Sequence, residues 1–205
     1  NNSCGARSIA YGNMVHNVLA IDAVSGDGQA RRFGPMNEDS GLHRRLRALY
    51  AREKDEIAAR FPKVLRRVAG YNLDHLGPPH ENSAHLLVGS EGTLAWSERL
   101  HLKLSPLPAH RVLGVCHFPK FHKAMDSAQH IVKLGPSAVE LVDRTMISLA
   151  RDIAAFRGTV DAMIRGEPDA ILLVEFAGEE QAAQVSRLKQ LVQLVADLGL
   201  PGSVV

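Results

Sequence analysis

The chain has 205 residues, of which 45% are hydrophobic and 22% are charged, a composition typical of a folded protein with one large or two small domains. Its formal net charge of +2 gives no indication of nucleic-acid binding, which depends on a clustered basic surface. The apolar runs are too short for a membrane span, and the first residues lack the pattern of a signal peptide. We therefore expect a soluble, cytoplasmic protein, with peripheral attachment to a membrane left open.

The two cysteines, Cys4 and Cys116, are far apart and lack the spacing of zinc ligands. We expect two reduced thiols rather than a disulfide. Cys4 is interpreted as a small packing group rather than as a nucleophile. Asn1-Asn2-Ser3 matches the acceptor pattern for N-glycosylation, but we interpret that match as chance because no secretory signal accompanies it.

The first half of the chain predicts a strand and a helix, followed by two further strands. Residues 13–24 read as a strand that enters a hairpin turn at residues 25–28. Apolar residues at near-helical spacing predict a surface helix over residues 42–61. Acidic residues among its arginines favour a solvated helix face over a nucleic-acid interface. The arginines in and after this helix are Arg44, Arg45, Arg47, Arg52, Arg66 and Arg67.

A shorter apolar strand is predicted to begin at residues 86–88. Leucines at positions 100, 102 and 104 alternate with polar residues, which predicts a half-buried strand that stops at Ser105-Pro106. Residues 107–109 read as a linker. We place the domain boundary there, which gives domains at residues 1–106 and 107–205.

The second half of the chain predicts alternating strands and helices. This pattern is typical of a two-layer α/β unit, in which helices cover one face of a sheet. The given sequence ends at residues 202–205, where another strand could begin, so we expect the chain to be a fragment of a longer protein. The predicted strands are 111–118, 137–142 and 170–176, and the predicted helices are 121–134, 144–156 and 179–198.

Two segments are poor in side chains: the first glycine segment, residues 1–12, and the second glycine segment, residues 89–94. Backbone amides beside glycine can approach an anionic group closely because no side chain blocks them. Taken alone, each segment is more typical of a tight turn.

Four motifs in order carry a resemblance to a known family. They are NNSCGAR with Tyr11-Gly12, Asn17-Val18-Leu19 ahead of Asp27-Gly28, Gly70-Tyr71-Asn72-Leu73, and Gly89-Ser90-Glu91-Gly92-Thr93-Leu94. The chain resembles the FAD-linked oxidases typified by vanillyl-alcohol oxidase and p-cresol methylhydroxylase. Within them it is most similar to the D-2-hydroxy-acid dehydrogenases: D-lactate dehydrogenase, the glycolate oxidase flavin subunit and D-2-hydroxyglutarate dehydrogenase.

The resemblance implies an α+β fold. Residues 1–106 would be the C-terminal part of a PCMH-type FAD-binding domain, and residues 107–205 part of a ferredoxin-like cap domain. The parent protein would oxidise a D-2-hydroxy acid to the 2-oxo acid by hydride transfer to FAD. A quinone, an electron carrier or iron–sulfur clusters elsewhere in the parent would take the electrons, and a homodimer is left open. The alternative is a non-catalytic small-molecule-binding or subunit-assembly module.

The resemblance also implies which residues lie near the flavin. Trp96 stands where the family commonly has isoleucine, so it either stacks on the cofactor or is an ordinary core residue. Glu91 either caps a turn or binds a ribose hydroxyl. The catalytic residues are expected outside this chain, so the fragment alone is expected to be inactive and to hold FAD poorly. The implied cofactor-binding residues are Asn2, Ser3, Cys4, Gly5, Ala6, Tyr11, Gly12, Glu91, Gly92 and Trp96.

Several histidines suggest a metal site, but their spacing argues against it. His75, His80 and His85 recur at intervals of five, which does not place them on one helical face, and the prolines at 78 and 79 preclude a continuous helix. Only a loop that gathers them would make a site. We therefore expect no metal there, and none at Cys116, His117 and His122.

Overall fold

The structure is a computed structural model that describes residues 2–3, 5–37, 40–64 and 66–205. The chain forms two compact units, Asn1–Ser105 and Pro106–Val205. The first unit contains helices α1 (Ser8–Tyr11), α2 (Gly41–Arg60) and α3 (Ser83–Leu87), and strands β1 (Val18–Ser25), β2 (Ala30–Phe33) and β3 (Ala95–Leu102). The second contains α4 (Phe121–Ile131), α5 (Arg144–Asp152), α6 (Ala154–Met163) and α7 (Gln181–Asp197), and strands β4 (His110–Phe118), β5 (Ala138–Asp143) and β6 (Ala170–Gly178).

The first unit contains an antiparallel sheet in the order β2-β1-β3. The hairpin between β1 and β2 confirms the predicted turn, but β1 begins later than expected. Residues Met14–His16 form a 3₁₀ turn, and Asn13 caps it by donating its N–H to the His16 Nδ1 at 2.9 Å. This local bond keeps the start of the predicted strand out of the sheet.

Two expectations for the first unit are wrong. Residues 86–88 do not form a strand, because Asn82 caps helix α3 instead, with its side-chain oxygen accepting the Ala84 N–H at 2.9 Å. Strand β3 is not half-buried: Leu100 is 53% exposed, and Leu104, beyond the end of the strand, is 86% exposed. Strand β3 lies at the edge of the sheet, so alternation along it does not imply a covered face.

Helix α2 confirms the predicted surface helix. Ser40 caps it by accepting the His43 N–H at 3.1 Å, and the helix ends before Pro62. Its buried Leu46 packs with Met36 and Leu76 in a small core of its own. Helix α2 thereby holds the 3₁₀ turn Leu73–Leu76 in place.

The second unit contains an antiparallel sheet in the order β4-β6-β5. Alternate residues of β6 enter two cores: Leu172, Val174 and Phe176 pack with α4 and α7, while Ile171 and Leu173 pack with α5 and α6. Helices therefore lie on both faces of the sheet, and the expectation of one covered face is wrong. The helix predicted over residues 144–156 also breaks in two, because Ile153 has extended backbone angles.

The last residues pair with β4 of this sheet, at the place where the sequence allowed another strand to begin. The Val115 N–H donates to the Val205 carbonyl at 2.8 Å, and the Val205 N–H donates to the Val115 carbonyl at 3.0 Å. Helices and strands thus build both units, which confirms the α+β class. Among the described helices, none combines the length and the apolar character needed to cross a membrane.

Candidate functional site

The first glycine segment is anchored by a buried asparagine. The Asn2 side-chain oxygen accepts the Val15 N–H at 3.0 Å, and the Ser3 carbonyl accepts the Met14 N–H at 3.2 Å. These bonds fasten the segment to the 3₁₀ turn ahead of β1. Gly5 follows at the surface, and no described atom lies within 4 Å of the position that a Cβ atom would take there.

The second glycine segment lies against the first. A Cβ atom at Gly89 would lie 3.3 Å from the Asn2 Cβ and 3.3 Å from the Gly70 carbonyl oxygen, so this position admits a close approach of three chain segments. Gly89 and Gly92 have φ of +85° and +80°, which side chains disfavour. At Gly92 the Cβ position is open among the described residues. The two segments that carry the family resemblance are therefore neighbours.

The Gly70-Tyr71-Asn72-Leu73 motif connects to the same place. The Tyr71 hydroxyl hydrogen-bonds the Thr93 hydroxyl at 2.8 Å. Asn72 is fully buried and donates its side-chain amide to the His85 carbonyl at 3.1 Å and to the Val88 carbonyl at 2.7 Å. Because Val88 directly precedes Gly89, Asn72 fixes the start of the second glycine segment.

Two buried polar atoms of the first glycine segment, the Asn2 Nδ2 and the Ser8 Oγ, have no hydrogen-bond partner among the described residues. A buried donor left unpaired costs about 1–3 kcal/mol. The unpaired amide and the open backbone at Gly5 and Gly92 fit a ligand that brings hydrogen-bond acceptors against bare main chain, as a dinucleotide such as FAD would.

The structure places the other implied flavin contacts as follows. Ser3, Tyr11 and Glu91 are exposed and Ala6 is partly buried, while Cys4 lies outside the described residues. Glu91 has φ of +52° in the turn between Gly89 and Gly92. This list of contacts therefore remains a prediction, supported for Asn2, Gly5 and Gly92 by the geometry above.

The surroundings of two further predicted cofactor-binding residues, Gly12 and Trp96, limit how each can be interpreted. A Cβ atom at Gly12 would lie 2.6 Å from the His16 Nδ1, so glycine is required there by the packing of that imidazole. Trp96 is 67% exposed on β3, so the interpretation of an ordinary core tryptophan is wrong. Stacking on a cofactor stays a prediction for Trp96.

The structure also gathers three histidines that the spacing of five residues did not favour. His75 lies in the 3₁₀ turn Leu73–Leu76, His80 follows it, and His85 lies in α3. Each offers one ligand atom, and these atoms lie within 4.8 Å of one another. The turn between the two elements reverses the chain, which sequence periodicity does not reveal. We call His75, His80 and His85 the histidine cluster.

Burial controls the charge of His75 and His85. Desolvation, together with the nearby His80, lowers the pKa of His75 to about 4. Desolvation also lowers the pKa of His85, against a hydrogen bond to the Val18 carbonyl that raises it. Both imidazoles are therefore neutral at pH 7.

His117, another candidate metal ligand, is engaged elsewhere. His117 is buried; its Nδ1–H donates to the Ser203 carbonyl at 2.9 Å, and its Nε2 accepts the Arg165 N–H at 3.1 Å. Both ring nitrogens are thus occupied by the fold. Burial also raises the pKa of the Cys116 thiol to about 12, so it stays protonated.

A surface cluster that the sequence did not indicate joins the strands of the first sheet. Asp22 on β1 accepts from His101 on β3 at 2.9 Å and from Arg32 on β2 at 3.1 Å. The hydrogen bond from His101 lowers the pKa of Asp22, and Arg32 lowers it further. The antiparallel register, which places Asp22 opposite Arg32, was the signal that could have revealed it.

Known proteins are similar to this chain in sequence and in fold. Residues 107–202 match the family model for FAD linked oxidases, C-terminal domain. A D-2-hydroxyglutarate dehydrogenase of Pantoea ananatis is 29% identical over 95% of this chain, which spans 20% of that protein. A D-lactate dehydrogenase of Archaeoglobus fulgidus is 24% identical over 92% of the chain, which spans 33% of that protein.

A solved structure supports the fold over nearly the whole chain. An alkyldihydroxyacetonephosphate synthase superposes on 97% of it with a TM-score of 0.55 and 15% sequence identity, while the chain covers 31% of that structure. The chain thus spans between a fifth and a third of the length of these relatives. Its second unit matches the family's C-terminal domain and so belongs to the FAD-linked oxidase C-terminal domain family, and both units together are similar in sequence to D-2-hydroxyglutarate and D-lactate dehydrogenases.

Proposed function

We propose that this chain is part of an FAD-dependent dehydrogenase that oxidises a D-2-hydroxy acid to the corresponding 2-oxo acid. The observation that supports this most is the meeting of the first and second glycine segments at Asn2 and Gly89. It occurs in a chain whose relatives are named D-2-hydroxyglutarate dehydrogenase and D-lactate dehydrogenase. Those names support a small 2-hydroxy acid of the lactate or 2-hydroxyglutarate type as substrate, and the family resemblance adds the glycolate type.

In this proposal the chain's own task is to hold the cofactor. Asn2 offers a buried amide donor, and Gly5 and Gly92 keep the backbone free of side chains. When bound, the flavin accepts a hydride from the α-carbon of the hydroxy acid. Tyr71 and Asn72 position the second glycine segment through Thr93 and Val88.

The groups that bind and deprotonate the substrate are assigned to the remainder of the parent protein. The chain spans only 20% of the Pantoea relative, so most of such an enzyme lies outside it. We propose that residues 1–205 alone neither retain FAD tightly nor turn over substrate. In the parent, a quinone, an electron carrier or iron–sulfur clusters take the electrons from the flavin.

The test is made on the complete gene product. After purification, the FAD released by acid is quantified, and oxidation of D-lactate, glycolate and D-2-hydroxyglutarate is followed with a dye as electron acceptor. L-Lactate and L-2-hydroxyglutarate serve as stereochemical controls. We expect bound FAD and turnover of one of the three acids. A colourless protein that cannot be reconstituted with FAD would contradict the proposal and favour a non-catalytic module.

A further inference from the structure

The histidine cluster lies within the first unit. The His75 Nδ1 and the His85 Nδ1 are 3.0 Å apart, and the ligand atoms of all three histidines lie within 4.8 Å of one another. In a tetrahedral zinc site with nitrogen ligands, two ligand atoms are about 3.3 Å apart. Two of the three nitrogens thus already have nearly the separation that one metal ion requires.

The fold fixes the orientation of His85. Its Nε2 lies 3.0 Å from the Val18 carbonyl oxygen, which can only accept, so the Nε2 carries the proton and donates it. In the neutral ring the Nδ1 then has a free lone pair directed at His75. Metal-binding histidines typically donate their second ring nitrogen to a carbonyl in this way.

On its far side His75 has a carboxylate nearby, beyond hydrogen-bonding distance. With the Nδ1 facing His85, its Nε2 lies 3.9 Å from a carboxylate oxygen of Asp74, which is itself held by Arg67 at 2.6 Å. In the metal-free form the His75 Nδ1–H donates to the His85 Nδ1. Moving that proton to the Nε2, towards Asp74, frees the Nδ1 lone pair for a metal ion without changing the net charge of the ring.

His80 is the adjustable member of the cluster. Its ring stacks on His75 with a centroid distance of 4.0 Å and an interplanar angle of 7°. Two stacked parallel rings cannot both direct an in-plane lone pair at one ion, so His80 must rotate to complete the site. His80 is exposed, whereas His75 and His85 are buried, so the rotation leaves the packed residues in place.

The three imidazole nitrogens favour one class of metal ion. Neutral imidazoles without thiolates suit Zn²⁺, Co²⁺, Ni²⁺ and Cu²⁺, whereas Mg²⁺ and Ca²⁺ prefer oxygen. His16, whose ring is 6.0 Å from that of His75, has its Nδ1 occupied by the Asn13 N–H and stays outside the site. We propose that His75, His80 and His85 bind one divalent transition-metal ion of the Zn²⁺ class, which links the 3₁₀ turn Leu73–Leu76 to helix α3.

The test uses the full chain without a histidine tag. Zn²⁺ is titrated into it by calorimetry, and Co²⁺ is titrated in parallel because its visible absorption reports tetrahedral nitrogen coordination. We expect saturation at one ion per chain. His80→Ala, which removes an exposed ligand, should weaken binding by more than the roughly tenfold change that follows loss of an outer hydrogen bond.

The matched control is His122→Ala, which removes an exposed histidine of the second unit. It should bind Zn²⁺ as the unchanged chain does. His85→Gln, checked by circular dichroism for retained fold, should also bind weakly. The proposal is overturned if the unchanged chain shows no saturable binding, if His80→Ala binds with full affinity, or if His122→Ala weakens binding equally.

Discussion

The two units are stabilised in different ways. In the second, large apolar side chains such as Phe118, Phe176 and Leu191 are completely buried on a regular sheet. In the first, buried polar side chains are concentrated: eight of the eleven found among the described residues lie there. These eight are Asn2, Asn13, Asn72, His75, Asn82, Ser83, His85 and Ser90.

This difference agrees with the placement of both proposed binding sites in the first unit. Apolar packing defines the second unit, and Gly114 serves that packing: a Cβ atom there would lie 2.7 Å from a methyl group of Leu191. In the first unit, asparagine and histidine side chains hold irregular segments in fixed positions. Such segments can present bare backbone and ring nitrogens to a ligand.

The largest loss of stability is expected from truncating a core side chain of the second unit. Phe176→Ala removes a completely buried ring between β6 and its covering helices, and should lower the free energy of unfolding by about 3–5 kcal/mol. Denaturant unfolding, with hydrogen exchange resolved by peptide, measures the loss. Leu104→Ala, at a highly exposed leucine, should change it by less than about 0.5 kcal/mol. Equal effects of the two substitutions would show that the second unit is not held by this core.

A smaller effect is expected from a buried amide in the first unit. Asn72→Ala leaves the buried carbonyls of His85 and Val88 without their donor, and should cost about 1–3 kcal/mol. Faster hydrogen exchange should be confined to the first unit. Asn37→Ala, at an exposed asparagine, is the control and should have no effect. Faster exchange in the second unit instead would contradict the division between apolar and polar stabilisation.

The sequence predicted the elements that depend on apolar packing better than those that depend on polar contacts. The apolar run of β6 and the spacing of Leu42, Leu46 and Leu49 indicated their elements correctly, because burial of apolar side chains imposes a period. The strand predicted at residues 86–88 was wrong because the helix there depends on a side-chain hydrogen bond at Asn82, which no hydrophobic period reveals. The break at Ile153 was missed because it lies within a continuous helical pattern.

The candidate site was predictable only in part. The small residues of the two glycine segments indicated close approach of the backbone, and their contact at Gly89 agrees with that. The role of Asn72 and the gathering of the histidine cluster depend on chain reversals between distant residues. The requirement for Gly12 depends likewise on where the His16 ring lies.

The smallest effect on stability at neutral pH is expected from the ionisation of the Cys116 thiol. Because burial raises its pKa to about 12 in the folded chain, the thiol contributes full stability below its ordinary pKa near 9 and loses that contribution as the pH rises from there towards 12. We expect Cys116 to resist iodoacetamide at pH 8 in the folded protein and to react in denaturant. Mass spectrometry of the peptides distinguishes it from Cys4. Rapid labelling of Cys116 in the folded protein would contradict its burial.

The most direct test of the proposed FAD-binding surface, formed by the first and second glycine segments, compares two glycines with similar backbone geometry. Gly92 and Gly28 have φ of +80° and +77°, and no atom of the described residues lies within 4 Å of either Cβ position, but only Gly92 lies in the second glycine segment. In the complete protein, we measure the ratio of FAD to protein in Gly92→Val and Gly28→Val. We predict that Gly92→Val loses most of its FAD while Gly28→Val retains it; equal FAD content in the two variants would contradict the assignment of this surface.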